Sequence, residues 1–437
     1  MRRLVTILIA LAMIVPAVTV VAGGKKEAGA AAQTELRMAW WGSQRRHDMT
    51  IGAIELYMQK NPNVTITYEF AGWGDYWTML TTQAAGGNLP DIVQHDYQYL
   101  AEWAGRGQLL GLNRFVDSGL LDMSDVEEDA IAGGRLEGEL YGVNIGSNGT
   151  TFVIDVDMFE AAGIPIPDWE WTWQDFERIA GRLHDELGVW AIGGNLQNWH
   201  VWNQIYISLG QSAYARDGQG LGYTDDQPFI DHLRMLVRLQ DAGVVPHISE
   251  WLAVYDEAGV EQQPIVAGDA AMAFVWSNQL IAMWRAAGED RNFVLRPVPR
   301  VAGRASSVYV KPGQFLAVSA RTGNPEAAVS FLNAWTNDVE MNRILSAERG
   351  VPISSVVAND LYGRISAAEK PVFDYVIEVA QRGSPLPAPD PAGHSELEDN
   401  VFIAEVTEPV LFGRRTPEEG VRILRREAPG ILQAASR

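Results

Sequence analysis

From Glu35 onward the chain alternates between two hydrophobic periods. Leu36 and Met38 alternate with polar neighbours into Trp40, the period-two pattern of a strand. Ile51, Ile54, Tyr57 and Met58 then recur at helical spacing until Asn61-Pro62 breaks the pattern. Val64, Ile66, Tyr68 and Phe70 alternate with Thr65, Thr67 and Glu69, the clearest period-two run in the chain. A further helix is expected over 76–85, ending at Gly86-Gly87, and Leu89-Pro90-Asp91 leads into the short apolar strand Ile92-Val93. Strands that alternate with helices in this order predict a mainly parallel sheet covered by helices.

The same grammar continues, with strands expected near 141–145, 152–154, 189–192, 271–275 and 315–318. Helix starts are marked chemically. Thr172 stands three residues before Asp175, Asn324 precedes Pro325-Glu326, and Thr416 precedes Pro417 with Glu419 three residues on. Each supplies a side-chain acceptor for the free N–H groups of a first turn. Between Gly383 and Gly393 runs Ser-Pro-Leu-Pro-Ala-Pro-Asp-Pro, a stiff, donor-poor segment that reads as a strap crossing between lobes.

The first residues follow a different rule. Arg2 and Arg3 precede an unbroken apolar run over 4–22, and Gly23, Gly24, Lys25 and Lys26 follow it. That order is a secretory signal peptide, with cleavage expected after Ala22; an uncleaved anchor is the alternative, because the run nearly spans a bilayer. Residues 23–34 form an Ala/Gly-rich tether. The chain has no cysteine, which excludes disulfides, thiolate metal sites, a cysteine nucleophile and lipid attachment through sulfur. With 437 residues, 47% of them hydrophobic, it can build the cores of two or more domains. The formal charge of −21 argues against nucleic acid and anionic lipid as partners, and its carboxylates are scattered as on a solvated surface.

Several stretches together carry a family likeness: Trp40-Trp41-Gly42-Ser43, Asn61-Pro62-Asn63-Val64, Gly86-Gly87-Asn88-Leu89-Pro90-Asp91-Ile92-Val93 and Leu109-Leu110-Gly111-Leu112. They continue with Leu140-Tyr141-Gly142-Val143, the run from Asp157 to Pro165 followed by Trp171-Thr172-Trp173, Gly268-Asp269-Ala270-Ala271-Met272-Ala273, Asn324-Pro325-Glu326-Ala327-Ala328 and Arg349-Gly350-Val351-Pro352. In this order the chain resembles the extracellular solute-binding proteins of ABC importers, of the sugar-binding, maltose-binding-protein-like class. The resemblance implies a two-lobed α/β fold of the type II periplasmic-binding-protein kind, with the ligand between the lobes. The first lobe would take 35–143 and 308–345, and the second 149–307 and 350–437. Hinge crossings would fall near 144–148, 306–310 and 347–351. It also implies a secreted monomer, periplasmic or held at the cell surface, that delivers a carbohydrate to a membrane permease. No cofactor, metal site or catalytic group is expected.

Sugars present apolar C–H faces ringed by hydroxyls, so a receptor needs flat aromatic platforms and in-plane polar groups. The chain has 15 tryptophans, and most of them are expected in the core. Ligands on open α/β sheets gather beyond the carboxyl ends of strands. Four clusters stand there: Trp41 and Ser43; Trp73 and Asp75; Asp96 and Tyr97; and Trp276, Ser277 and Asn278. By the resemblance, Trp276 is a stacking aromatic, and Asn148, Lys311, Gly313, Gln314 and Arg349 sit near the crossings. Arg349 reads equally as a hydrogen-bonding fork for the ligand and as a structural ion pair. Trp199 and His200 are taken from the polar and aromatic segment 195–203, and the number of candidate aromatics favours an oligosaccharide over a single ring.

A secreted glycoside hydrolase is the main rival. It needs a facing pair of carboxylates, which 55 acidic residues cannot exclude, but the likeness covers nearly the whole mature chain and leaves no separate catalytic domain. Neither a Gly-x-Ser-x-Gly elbow nor a phosphate loop occurs. A receptor of the same fold for a non-sugar solute, or one that serves chemosensing, would read alike at this level.

Overall fold

A computed structural model describes residues 33–256, 258–288, 290–366 and 369–436; the expected signal peptide and most of the tether lie outside them. The first sheet has the order β2 (Val64–Ala71), β1 (Thr34–Trp41), β3 (Ile92–His95), β13 (Phe315–Val318), β6 (Gly142–Asn144). Strand β1 (Thr34–Trp41) pairs in parallel with β2 (Val64–Ala71) on one side and with β3 (Ile92–His95) on the other. Helices α1 (Gln44–Lys60) and α2 (Trp73–Ala85) make the two crossovers. Successive residues of β1 feed two cores. Leu36, Met38 and Trp40 pack with Ile54 and Tyr57 of α1, while Ala39 and Trp41 pack with Tyr76 and Leu80 of α2. The period-two pattern of β2 marks an edge strand, where Val64 and Ile66 are buried but Tyr68 and Phe70 stay exposed. Phe70 stacks on His47 at 4.0 Å.

A small hairpin of β4 (Arg135–Leu136) and β5 (Glu139–Leu140) precedes β6 (Gly142–Asn144). The chain then passes through β7 (Ser147–Asn148) into β8 (Thr150–Asp155), the start of a second sheet. That sheet has the order β11-β8-β10-β9, built with β9 (Trp190–Ile192), β10 (Ala270–Trp276) and β11 (Phe293–Arg296). Its central strands β8 and β10 are buried almost throughout, as expected of strands covered on both faces. The chain returns through β12 (Lys311–Pro312) to β13 (Phe315–Val318) of the first sheet. The result is a two-lobed α/β fold.

The sheets are mixed, which corrects the expectation of mainly parallel ones. β13 runs antiparallel to both β3 and β6, and β8 runs antiparallel to both β10 and β11. β13 and β8 are the strands that enter their lobes from the other lobe, so they start at the cleft where their neighbours end. Capping boxes form at Thr172 with Asp175 and at Thr416 with Glu419. Asn324 departs from its expected role: its side chain donates to the Glu35 carbonyl at 3.1 Å, and Pro325 opens that helix without a side-chain cap. The proline-rich segment after Gly383 is fastened at Ser384 to the Val308 carbonyl (2.7 Å) and at Pro387, whose carbonyl accepts from Tyr97 of the first lobe (3.0 Å).

Three crossing segments lie side by side. β7 pairs antiparallel with β12, and Ser147 bridges to Val351 on its other flank. The Asn148 amide is clamped among them: its Nδ2 donates to the Arg349 carbonyl at 2.9 Å. A Cβ on Gly350 would lie 2.7 Å from that amide, and one on Gly313 would collide with its Nδ2. Beyond this point residues 354–355 still bond to 125–126, and Asp360 pairs with Arg343 at 2.7 Å. The chain therefore commits to the second lobe later than residue 350.

Gly313→Ala is expected to lower stability by about 1–3 kcal/mol through overpacking at the crossing. Gly181→Ala, in the helix Trp173–Leu187 with open space around it, should be neutral or stabilising by about 0.5–1 kcal/mol. Urea unfolding midpoints of the two variants check the pair.

Candidate ligand-binding site

The carboxyl ends of β1, β3 and β10 and the crossings β7 and β12 face one cleft, which has two adjoining chambers. The inner one encloses about 330 Å³ and is walled by Trp41, Trp73, Trp276, His200, Asn148 and Lys311. The outer one encloses about 390 Å³ and runs past Ser43, Arg45, Glu261, Arg285 and Glu348. Trp41, Arg46, Trp73, Asn278 and Gln279 belong to both. Each volume sits at the lower end of the small-molecule range.

The aromatic walls are braced from behind. Trp41 meets Trp73 edge to face at 5.0 Å and lies 5.3 Å from Tyr76, so a core residue positions a half-exposed one. Trp73 is 43% exposed and offers its surface to the cleft. Opposite, Trp276 ends β10 and receives the Lys311 ammonium 4.8 Å from its ring centroid. His200 meets Trp276 edge to face at 5.1 Å.

Polar groups complete the inner chamber. Asp96 caps α3 (Tyr97–Gly105) by accepting from Gln98 N at 3.0 Å, and it pairs with Lys311 at 3.5 Å. Gln314 accepts from Gln94 at 2.9 Å. Two buried atoms on the chamber's lining residues have no hydrogen-bond partner in the protein: Asn148 Oδ1 and His200 Nδ1. Burial, then the nearby positive charge of Lys311, holds His200 well below the ordinary histidine range, so its ring is neutral. Behind the chamber, burial pushes Asp390 of the strap up to about 6. Among the described residues, no group of three or more His, Asp or Glu side chains is placed to hold a metal ion.

Five sequence candidates lie elsewhere. The helix that begins at Tyr97 turns that ring inward, where it stacks on Phe315 and donates to Pro387. Trp199 packs in a second-lobe core, 4.6 Å from His394, while its neighbour His200 turns to the cleft. Ser277 is fully buried and its hydroxyl accepts from Gly149 N at 3.2 Å. Asp75 is exposed in the first turn of α2 and lines neither chamber. Arg349 is buried beneath the floor, where its Nε and Nη2 donate to Gln94 (3.1 Å) and Thr50 (2.9 Å). Burial, and repulsion from Arg46, push its guanidinium down to about 9.

Sequence reasoning missed Arg46, Gln98 and Gln279, which line the inner chamber, and Glu348, which lines the outer one. Arg46 Nε donates to both Glu348 carboxylate oxygens, at 2.7 and 3.0 Å, tying α1 to the segment just before Gly350. Asn278 of the second lobe donates to the Glu348 carbonyl at 3.1 Å. The available signal for Arg46 was its place in the first turn after Ser43, which opens α1 at the end of β1.

The sequence signature of the family described as bacterial extracellular solute-binding protein matches residues 49–341. A curated relative, an uncharacterized lipoprotein of Streptomyces antibioticus, is 24% identical over 78% of this chain and 74% of its own. Among solved structures, a periplasmic oligogalacturonide binding protein of Yersinia enterocolitica in complex with saturated digalacturonic acid superposes with a TM-score of 0.81 at 21% identity, covering 92% of this chain and 100% of that one. An ABC substrate-binding protein of Listeria monocytogenes in complex with cycloalternan gives 0.77 at 19%, covering 92% and 99%.

The Glu348 cluster carries a pH signature. Burial opposes ionisation of its carboxyl, but Arg46 and Arg349 outweigh that, so it titrates below its ordinary 4.5. The stability it contributes is present above 4.5 and is lost as pH falls through the lower folded value. Glu348→Gln should cost about 3 kcal/mol at pH 7, because two buried arginines lose a counter-charge, and it should flatten the acid loss below 4.5. Denaturant melts from pH 3 to 7 measure both effects.

Proposed function

The chain belongs to the bacterial extracellular solute-binding proteins, and from that premise we propose that it captures an oligosaccharide between its lobes and delivers it to an ABC importer. The observation that carries the carbohydrate reading is that Trp41 and Trp73 of the first lobe and Trp276 of the second line one chamber together with several polar side chains. Flat rings suit the C–H faces of sugars, and the amide side chains of Gln98, Asn278 and Gln279 in the same lining suit their hydroxyls. Two chambers that share Trp41 and Trp73 give a chain of two or more rings somewhere to continue.

On this reading the protein works outside the cytoplasmic membrane as a monomer and does no chemistry on its ligand. The lobes close about the segments 144–148 and 306–310 and about a third crossing beyond residue 350. Closure gains population only through contacts that ligand makes with both lobes at once. Trp276 from the second sheet and Trp41 from the first are the residues placed to make them. The closed surface then engages the permease.

Calorimetric titration against mono- and oligosaccharides, with chromatography of the same samples, tests the reading. Stoichiometric binding of an intact glycan is expected; cleavage would bring the hydrolase reading forward, and silence would turn the cleft toward non-sugar solutes. Trp276→Ala should weaken the bound glycan by about 2 kcal/mol, roughly 30-fold. Unchanged affinity would remove that ring from the site.

A further inference from the structure

Resting on the carbohydrate reading, we propose that the cleft selects uncharged saccharides and that Asp96 excludes acidic ones by occupying Lys311. The charges of the inner chamber are matched before any ligand arrives, whereas Arg45 and Glu261 of the outer chamber form no ion pair among the described residues. Arg46 pairs with Glu348 at 2.7 Å, Arg285 with Glu369 at 3.3 Å and Lys311 with Asp96 at 3.5 Å. Lys311 is the cation of the inner chamber that stands over the Trp276 ring, where a stacked sugar would present a carboxylate.

A uronate reaching Lys311 has to compete with Asp96, which cannot follow or retreat. Its carboxylate is pinned as the cap of α3 by Gln98 N, and it is 8% exposed. Breaking a buried pair and leaving one charge uncompensated is costly. Asp390, buried on the strap, adds a second carboxyl within the field of Lys311. The formal charge of −21 opposes the approach of an anion further. A sugar hydroxyl meets none of these obstacles, because it can accept from Lys311 and donate to Asp96 without parting them. The fold itself leaves the charge of the ligand open, since the Yersinia protein holds digalacturonic acid on the same architecture.

The test compares affinities by calorimetry for neutral di- and trisaccharides of glucose, mannose, galactose and xylose against digalacturonic acid, at one ionic strength. Wild type should bind a neutral probe at least 100-fold more tightly than digalacturonic acid. Asp96→Asn keeps a good helix cap, so the fold should hold, and the variant should narrow that ratio at least tenfold by improving uronate binding. Adding Lys311→Met should abolish the gain. Digalacturonic acid bound by wild type as tightly as any neutral probe, or an unchanged ratio in Asp96→Asn, would overturn the proposal while leaving the carbohydrate reading intact. Silence of wild type toward every probe would instead overturn the carbohydrate reading, and this proposal with it.

Discussion

Where β7, β12 and the segment after Arg349 run side by side, the amide of Asn148 is held by the Arg349 carbonyl and flanked by two glycines that leave no room for a side chain. Both sheets depend on this junction. β6 enters it from the first lobe, β8 leaves it into the second, and β13 begins just past it. The cleft is what remains between two lobes joined at so narrow a place. Asn148, although only 3% exposed, also stands in the wall of the inner chamber, so the residue that fixes the crossing packs directly against the cleft.

The second organising feature is pairing of charge. A cleft lined by full charges in a low-dielectric setting would be costly unless each met a partner. The three ion pairs described above meet that need for Arg46, Arg285 and Lys311, and they also tie elements together: Arg46 of α1 reaches Glu348 just before Gly350, and Asp96 at the head of α3 reaches Lys311 of β12. Three tryptophans supply the flat surfaces of the remaining inner lining. Trp41 is fixed by core packing and Trp73 leans on it, so the platforms are set before ligand enters. Such preorganisation spares the ordering cost that loose loops would carry.

Much of this was legible in the sequence because the governing signals are local. The β1–α1–β2 unit follows from hydrophobic periods that need only neighbouring residues, and the capping boxes at Thr172 and Thr416 follow from a three-residue spacing. The directions of β8 and β13 were not legible, because they depend on which lobe the chain has just left. Site residues divided in the same way. Asp96 and Trp276 stand at strand ends and reached the cleft, but Tyr97 and Ser277, one residue on, were turned inward by the helices that start there. Trp199 and His200 separated because adjacent helical positions face about 100° apart. Arg46 and Glu348 escaped notice because their pairing spans the length of the chain.

Closure of two lobes on a glycan is the central claim, and the absence of cysteine makes it directly measurable. Spin labels at Thr81→Cys on α2 and Arg182→Cys on the helix Trp173–Leu187, both exposed, report the separation of the lobes by pulsed dipolar spectroscopy. With a stoichiometrically bound oligosaccharide, the distance distribution should shift and narrow to a single population. An identical distribution with and without bound glycan would contradict the account.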